Sequence, residues 1–342
     1  MNPFFFNKHY PGLFRSQAWL DAWLKSWGND PNLVLVNDGN SQPLDQVLFS
    51  FRHKIKKVLP VRTAFPLGVS TSIAPSIRSE YFNTAAYASS NSLARNYVEA
   101  FLESRCDQLY LPDILQDSPE YDLWKTLSDE SGFDFIVKDI NPTYGVDVSC
   151  ESFDVYLSGL GSNTRLKLYN RRKNLHMLGE VKVENLWPDQ EYFYKLINDF
   201  HQKRWGRDCY QGRNLTFIRL LLDNLVHDGH EVNLSLMTVN KKPVSVVLDI
   251  QFNGRIYNLQ SGYLEGFAKN ISLGTLHLGY QLESAFSRAD VDFYDFMAGK
   301  GKNADYKSAL SNRKAAFNTL LLVRNPVLKI LYRMQRRFNP HN

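Results

Sequence analysis

Apolar residues recur along this chain with two periods, about 3.6 residues where helices are expected and two where strands are. Trp19, Trp23 and Trp27 return every fourth residue between Ser16, which can cap a helix, and Gly28, which can end it. That stripe reads as core packing. Strands are expected at Asn32–Val36 and Asp45–Arg52, with Asp38-Gly39-Asn40 as the turn between them. Residues 68–91 are rich in Ser, Ala and small polar types and read as loop. Ser92 opens a helix to about Arg105, Gln108–Leu111 is a strand, and a further helix and strand reach about residue 140.

Helical spacing resumes at Phe153, Tyr156, Leu157 and Leu160. Asn163 can cap a second stretch carrying Arg165, Lys167, Arg171, Arg172 and Lys173, which Gly179 ends. Glu191–Trp205 and Leu215–Val226 read as helices. Strict alternation then begins. Val232–Val239, Val244–Phe252 and Arg255–Tyr263 are strands, joined by Asn240-Lys241-Lys242 and by Asn253-Gly254, a strong hairpin signal. A helix over Leu273–Ala289 and strands over Val291–Met297 and Ala315–Val323 complete the pattern. Last comes a basic amphipathic segment with apolar residues at 327, 330, 331, 334 and 338. It reads either as a docked terminal helix or as a helix lying on an anionic bilayer.

Composition adds bounds. The chain has 342 residues, 44% hydrophobic and 22% charged, enough for two soluble domains. Its net charge of +5 fits an anionic ligand, an anionic surface or nucleic acid without choosing among them. Cys106, Cys150 and Cys209 are too few and too scattered for a disulfide framework, and no Cys/His spacing matches a zinc site. The three-Phe run near the start is too short for a signal peptide, and no stretch approaches the roughly 20 apolar residues of a membrane span. The expected location is cytoplasmic, with peripheral contact at the inner face of the membrane through 327–338. The expected domains are 1–148, 149–325 and the terminal segment 326–342.

Three places can carry chemistry. The strand ending at Tyr263 leads to Ser272-Leu273-Gly274-Thr275 at a helix start. Backbone N–H groups and the helix dipole favour phosphate there, with Ser272 as cap, Gly274 for close approach and the Thr275 hydroxyl as donor. Asp295 shares an apolar strand face with Phe293 and Met297. It is either a base for a bound amine or a carboxylate bonded to backbone N–H groups in a turn. The Gly/Lys-rich loop after it ends at Asp305-Tyr306-Lys307, where Lys307 is a candidate for phosphate or oxyanion charge. The third place is the basic helix with Arg171 and Arg172, together with the later Lys203-Arg204-Trp205. His201 and His277 read as structural.

Four patches carry a resemblance. They are Tyr156-Leu157 through Arg171-Arg172; Phe200 to Arg204-Trp205; Tyr257 through Ser261-Gly262-Tyr263 to Ser272–Thr275; and Tyr294-Asp295-Phe296 through Gly299 to Tyr306-Lys307. In order and spacing these resemble the FemAB-like branch of the GNAT acyltransferases, in particular CelD-type acetyltransferase domains found beside polysaccharide-biosynthesis genes. The resemblance implies an α/β (α+β) fold of two tandem GNAT-like domains, each a mixed, largely antiparallel sheet flanked by helices. It implies an N-acyltransferase moving an acyl group from acetyl-CoA or another acyl-CoA to an amine, such as an amino sugar. Cofactor-binding residues would be Ser261, Tyr263, Ser272, Leu273, Gly274 and Thr275. Asp295, Tyr306 and Lys307 would be catalytic, and Arg172, Arg204, Trp205 and Tyr257 would hold the acceptor. No metal is implied. Two positions differ from the family pattern: Leu276 stands where the pyrophosphate loop has a second small residue, and Leu310 where a Trp follows the Tyr-Lys pair. FemX-type enzymes take an aminoacyl-tRNA donor, and that is the alternative within the same fold. A non-catalytic binding protein of a polysaccharide-assembly complex is the alternative outside it.

Overall fold

The computed structural model describes residues 12–36, 43–55, 57–82, 90–299 and 302–338. The opening three-Phe run and the Asp38-Gly39-Asn40 turn lie outside the described residues. Two compact units emerge: residues 1–142 with 315–342, and residues 143–314.

The first unit contains α1 (Gln17–Trp27), β1 (Val34–Leu35), β2 (Leu48–Ile55), β3 (Leu59–Pro66), α2 (Ser90–Glu103), β4 (Gln108–Leu115), α3 (Pro119–Glu130) and the start of β5 (Asp134–Asp147). Ser16 Oγ accepts from Trp19 N, and all three tryptophans of α1 are buried, so the stripe is core. Strand β3 interrupts the segment between β2 and the expected loop. Its Pro60 and Pro66 bound an alternating run that reads poorly as strand in isolation.

The second unit begins within β5. Its helices are α4 (Phe153–Gly159), α5 (Ser162–Arg165), a π-helical turn at Leu166–Asn170 and α6 (Arg172–Met177). Asn163 lies inside the first turn of α5 rather than at its cap, which is Gly161. Then come β6 (Val181–Asn185), α7 (Gln190–Trp205), α8 (Gly212–His227), β7 (Glu231–Val239), β8 (Lys242–Phe252), β9 (Arg255–Tyr263), α9 (Leu273–Phe286), β10 (Phe293–Asp295) and α10 (Lys302–Leu310). The expected loop around Asp305-Tyr306-Lys307 is therefore a helix, whose sequence lacks the apolar periodicity that would announce it. Two elements return to the first unit, β11 (Arg313–Val323) and α11 (Pro326–Phe338).

Strand pairing within each unit is mixed and largely antiparallel. In the first unit β1, β2 and β3 pair antiparallel, β3 and β4 parallel, and β4 and β11 antiparallel. In the second, β6-β7-β8-β9 form an antiparallel meander. Its turns have the two consecutive positive-φ residues that a tight hairpin demands, Asn240-Lys241 and Asn253-Gly254. Strand β10 pairs parallel with β9 and antiparallel with the end of β5. Helices α4 and α9 cover one side of this sheet through Tyr156, Leu278 and Leu282, packed with Ile256 and Tyr294. The Tyr156 hydroxyl donates to the Leu310 carbonyl at 2.7 Å, which ties α10 to the same core. Among the described residues no helix is long and apolar enough to cross a membrane.

Candidate functional site

The site follows from the way β9 loses a neighbour. Strand β10 accompanies β9 only from Arg255 to Tyr257 and stops at Asp295, while β9 runs on to Tyr263 beside β8. The register between β8 and β9 also shifts, Asp249 facing Asn258 but Leu248 facing Gln260. Leu259 is thus a bulge, which re-aims the local backbone. A parallel pair that parts beside a bulge opens a slot in the sheet. A cavity of about 340 Å³ sits there, walled by Asn258–Ser261 and Tyr263 of β9, Gly274 and Thr275 of α9, and Tyr306 and Lys307 of α10. Arg204 and Trp205, the last residues of α7, close another side.

At the start of α9, Ser272 holds the cap position but its side chain makes no capping bond. Its Oγ instead pairs with Thr275 Oγ1 at 3.0 Å. The first N–H groups of a 14-residue helix therefore point out of the helix end without a side-chain cap, with Gly274 and Thr275 at the cavity. Gly274 has a specific steric reason. A Cβ there would lie 2.7 Å from the Tyr263 ring, so the glycine makes room for the tyrosine on its side-chain face. Tyr263 is held in turn by Arg204, which donates to its hydroxyl at 2.7 Å and pairs with Glu265 at 2.9 Å. The Arg204 guanidinium also stacks over the Trp205 ring at 4.4 Å.

Lys307 projects from α10 and donates to the carbonyls of Met297 and Ala298, each at 3.1 Å. Met297 has φ of 64°, a costly value for a side chain of that size. Asp295 stabilises it by accepting from Met297 N at 2.7 Å, and Arg255 contacts the other carboxylate oxygen at 3.4 Å. Asp295 and Arg255 are both fully buried. Of the two readings of Asp295, the structure displays the turn-bonded carboxylate; it holds the turn on which Lys307 rests and does not reach the cavity wall. Tyr306 is 43% exposed as a residue, but its phenol lies in a desolvated spot near Tyr263, which pushes its pKa up to about 12.

Ser261, Tyr263, Gly274, Thr275, Arg204, Trp205, Tyr306 and Lys307 are thus brought together. Ser272 lies at the helix cap behind the wall, and Leu273 is core. Tyr257 is buried, its ring facing the Arg255 guanidinium at 5.6 Å. Arg172 is elsewhere: it sits over the Tyr280 and Tyr169 rings at 3.8 and 4.5 Å and pairs with Glu283. Sequence reasoning missed Asn258 and Gln260. Two amides in a strand of mostly apolar and aromatic residues were the available signal. It also missed Asp249 behind them, which accepts from Asn258 Nδ2 and the Tyr294 hydroxyl, both at 2.7 Å. Burial raises its pKa to about 7. His277 is wholly enclosed between Ser235 Oγ at 2.8 Å and Ser245 Oγ at 3.0 Å, and burial lowers its pKa to about 3. It is a structural histidine, as expected. Among the described residues no group of three or more His, Cys, Asp or Glu is placed to hold a metal.

Residues 162–308, the part of the chain that builds this site, match the family model of the acetyltransferase (GNAT) domain. No curated protein matches the chain. Among solved structures, FemX is similar with a TM-score of 0.58 at 13% identity, covering 97% of this chain and 98% of its own. L-PGS from Bacillus licheniformis is similar with a TM-score of 0.51 at 11% identity, covering 96% and 98%. The C-terminal domain of a putative lysylphosphatidylglycerol synthetase from Agrobacterium fabrum gives 0.51 at 9% identity, covering 96% and 93%. At these identities the likeness is one of fold.

Proposed function

With residues 162–308 a GNAT acetyltransferase domain and the protein an acyltransferase, we propose that the β9–β10 slot binds an acyl thioester and passes its acyl group to an amine. The observation that carries this reading is the slot itself: two parallel strands part at Tyr257 and Asp295, directly beside the Leu259 bulge. An extended thioester arm fits such an opening and can pair with the edge of β9. The donor's pyrophosphate would lie on the N–H groups of Gly274 and Thr275, where the helix dipole favours negative charge. Backbone N–H groups near Leu259 would receive the carbonyl oxygen as it gains charge. The amine attacks the carbonyl carbon, the C–S bond breaks, and the thiolate takes a proton from the Tyr306 hydroxyl, which regains one as the acylated nitrogen releases its extra proton, directly or through water. Lys307 would contribute positive charge at the cavity wall. Arg204 and Trp205 offer the acceptor a cationic and aromatic side. In this reading the acceptor is an amino sugar or related precursor of a cell-surface polysaccharide, modified in the cytoplasm.

A second reading keeps the slot and changes the donor to an aminoacyl-tRNA. The likeness to FemX over nearly the whole chain favours it, as does Leu276, a buried apolar residue in the turn that would cradle pyrophosphate. Calorimetry with acetyl-CoA and with aminoacyl-tRNA separates the two. Acetyl-CoA is expected to bind, and Thr275→Glu, which sets a carboxylate at the phosphate position, is expected to abolish that binding. Binding of aminoacyl-tRNA alone moves the assignment to the second reading. Acetyl-CoA binding that survives Thr275→Glu removes the phosphate from α9.

A further inference from the structure

Helix α11 docks on the first unit by its narrower side. Leu328 is buried and Tyr332 packs beside it, in a cluster with Val61, Ile136, Leu321 and Val323. The Tyr332 hydroxyl reaches Gln108 at 3.1 Å. Arg333 makes two bonds of 2.7 Å to Asp134, and Lys329 donates to the Gly132 carbonyl at 2.6 Å. Docking uses little of the helix's apolar surface. Val327, Ile330, Leu331 and Met334 remain 56, 57, 45 and 49% exposed. At roughly 100° per residue these four fall within a single arc of about 100°, between the docked side and the basic side. A convex row of large apolar side chains on a soluble surface marks a contact site.

The occupant is indicated by charge. Besides the docked Lys329 and Arg333, the helix carries Arg336 and Arg337 and no acidic residue. Beside it, the β2–β3 hairpin packs Ile55 and Leu59 into the same cluster as Leu328. The tip of that hairpin presents Lys57 and Val58, the latter 81% exposed. A second protein would need a groove matching an isolated convex arc. A bilayer interface needs only depth, which one apolar helix face supplies, and negative headgroups, which the basic residues attract. We propose that α11 with the β2–β3 tip is a docking surface for an anionic lipid bilayer, the helix lying in the interface plane with Val327, Ile330, Leu331 and Met334 inserted. This inference does not depend on the acyl-transfer reading.

The test is sedimentation of the full chain with phosphatidylcholine vesicles and with vesicles containing about a third phosphatidylglycerol. The protein is expected to sediment with the anionic vesicles, less at high salt, and not with the neutral ones. Ile330→Ser combined with Met334→Ser removes two exposed side chains that support no core, so the fold is retained. The double variant is expected to bind the anionic vesicles about tenfold less tightly or worse. Equal binding to neutral vesicles, no binding to anionic ones, or unchanged binding by the variant overturns the proposal. So does a wild-type protein that self-associates without lipid and becomes monomeric in the variant, which would give the face to a second copy of the chain.

Discussion

Tyr306 and Lys307 are neighbours in sequence yet are held in different ways, and the difference predicts different kinetic losses. The Tyr306 phenol has burial as the main cause of its raised pKa of about 12. It stays protonated across the physiological range and can give its proton to a leaving thiolate. Tyr306→Phe keeps the ring and removes that proton. It is expected to lower kcat by roughly 10²-fold with little change in donor affinity, which is the size of a lost general acid. Equal losses in kcat and donor affinity, measured by steady-state kinetics beside calorimetry, would instead place Tyr306 in donor binding. Lys307 is anchored by the Met297 and Ala298 carbonyls. The sequence offered Lys307 for phosphate or oxyanion charge, with Tyr306 beside it in the catalytic set. It could not show that Lys307 rests on a left-handed Met297 held by Asp295, because the φ of Met297 leaves no trace in composition. Arg172, which the resemblance placed at the acceptor, lies outside the cavity for a related reason: Tyr280, more than a hundred residues later, places its ring against the guanidinium.

The elements of the second unit were legible where local chemistry decides them. Asn253-Gly254 supplies the two positive-φ residues of its turn, so β8, β9 and their hairpin follow from the sequence. Helix α9 starts where Ser272 stands, although the serine makes no side-chain cap. Strand pairing was not legible, because register is a property of two segments at once. Neither the Leu259 bulge nor the early end of β10 is written in any local pattern, and together they make the slot. Long-range contact also fixes Gly279. A Cβ there would lie 2.2 Å from the Leu168 carbonyl oxygen, in the π-helical turn at Leu166–Asn170. Backbone cannot retreat as a side-chain tip can. Gly279→Ala is therefore expected to cost about 2 kcal/mol or more, although alanine is the better helix former. Gly159→Ala near the end of α4, where a Cβ meets nothing within 4 Å, is the control and should be neutral or slightly stabilising. Urea denaturation of both variants checks the pair, and equal stability would mean that α9 does not approach the π-helical turn so closely.

At the scale of the folded molecule, two buried groups beneath the same sheet titrate in opposite senses. Asp249 has a folded pKa raised by burial from 3.8 to about 7. Between those values the folded state holds a proton that the unfolded state has lost, so its contribution is present at low pH and is lost as pH rises through 7. His277 has a folded pKa lowered by burial from 6.5 to about 3. There the unfolded state holds the extra proton, so its contribution is present above 6.5 and is lost as pH falls toward 3. From about pH 4 to 6.5 the two slopes are each about 1.4 kcal/mol per pH unit and opposite in sign. The wild-type protein should therefore show a stability nearly flat in pH as far as these two groups decide it. Asp249→Asn leaves His277 unopposed, and stability should then fall as the medium is acidified through that window. His277→Gln leaves Asp249 unopposed, and stability should fall as pH rises through it. Denaturation midpoints at about pH 4.5, 5.5 and 6.5 measure the difference, which should approach 3 kcal/mol per pH unit between the variants. Parallel pH dependence in the two variants would show that both groups keep their ordinary pKa in the folded state, and half the expected difference that one of them does. Asp249 also bonds Asn258 at the cavity wall. The same protonation that balances His277 in stability therefore sets the charge behind the bulged strand, and Asp249→Asn should shift the pH profile of turnover as well as that of folding.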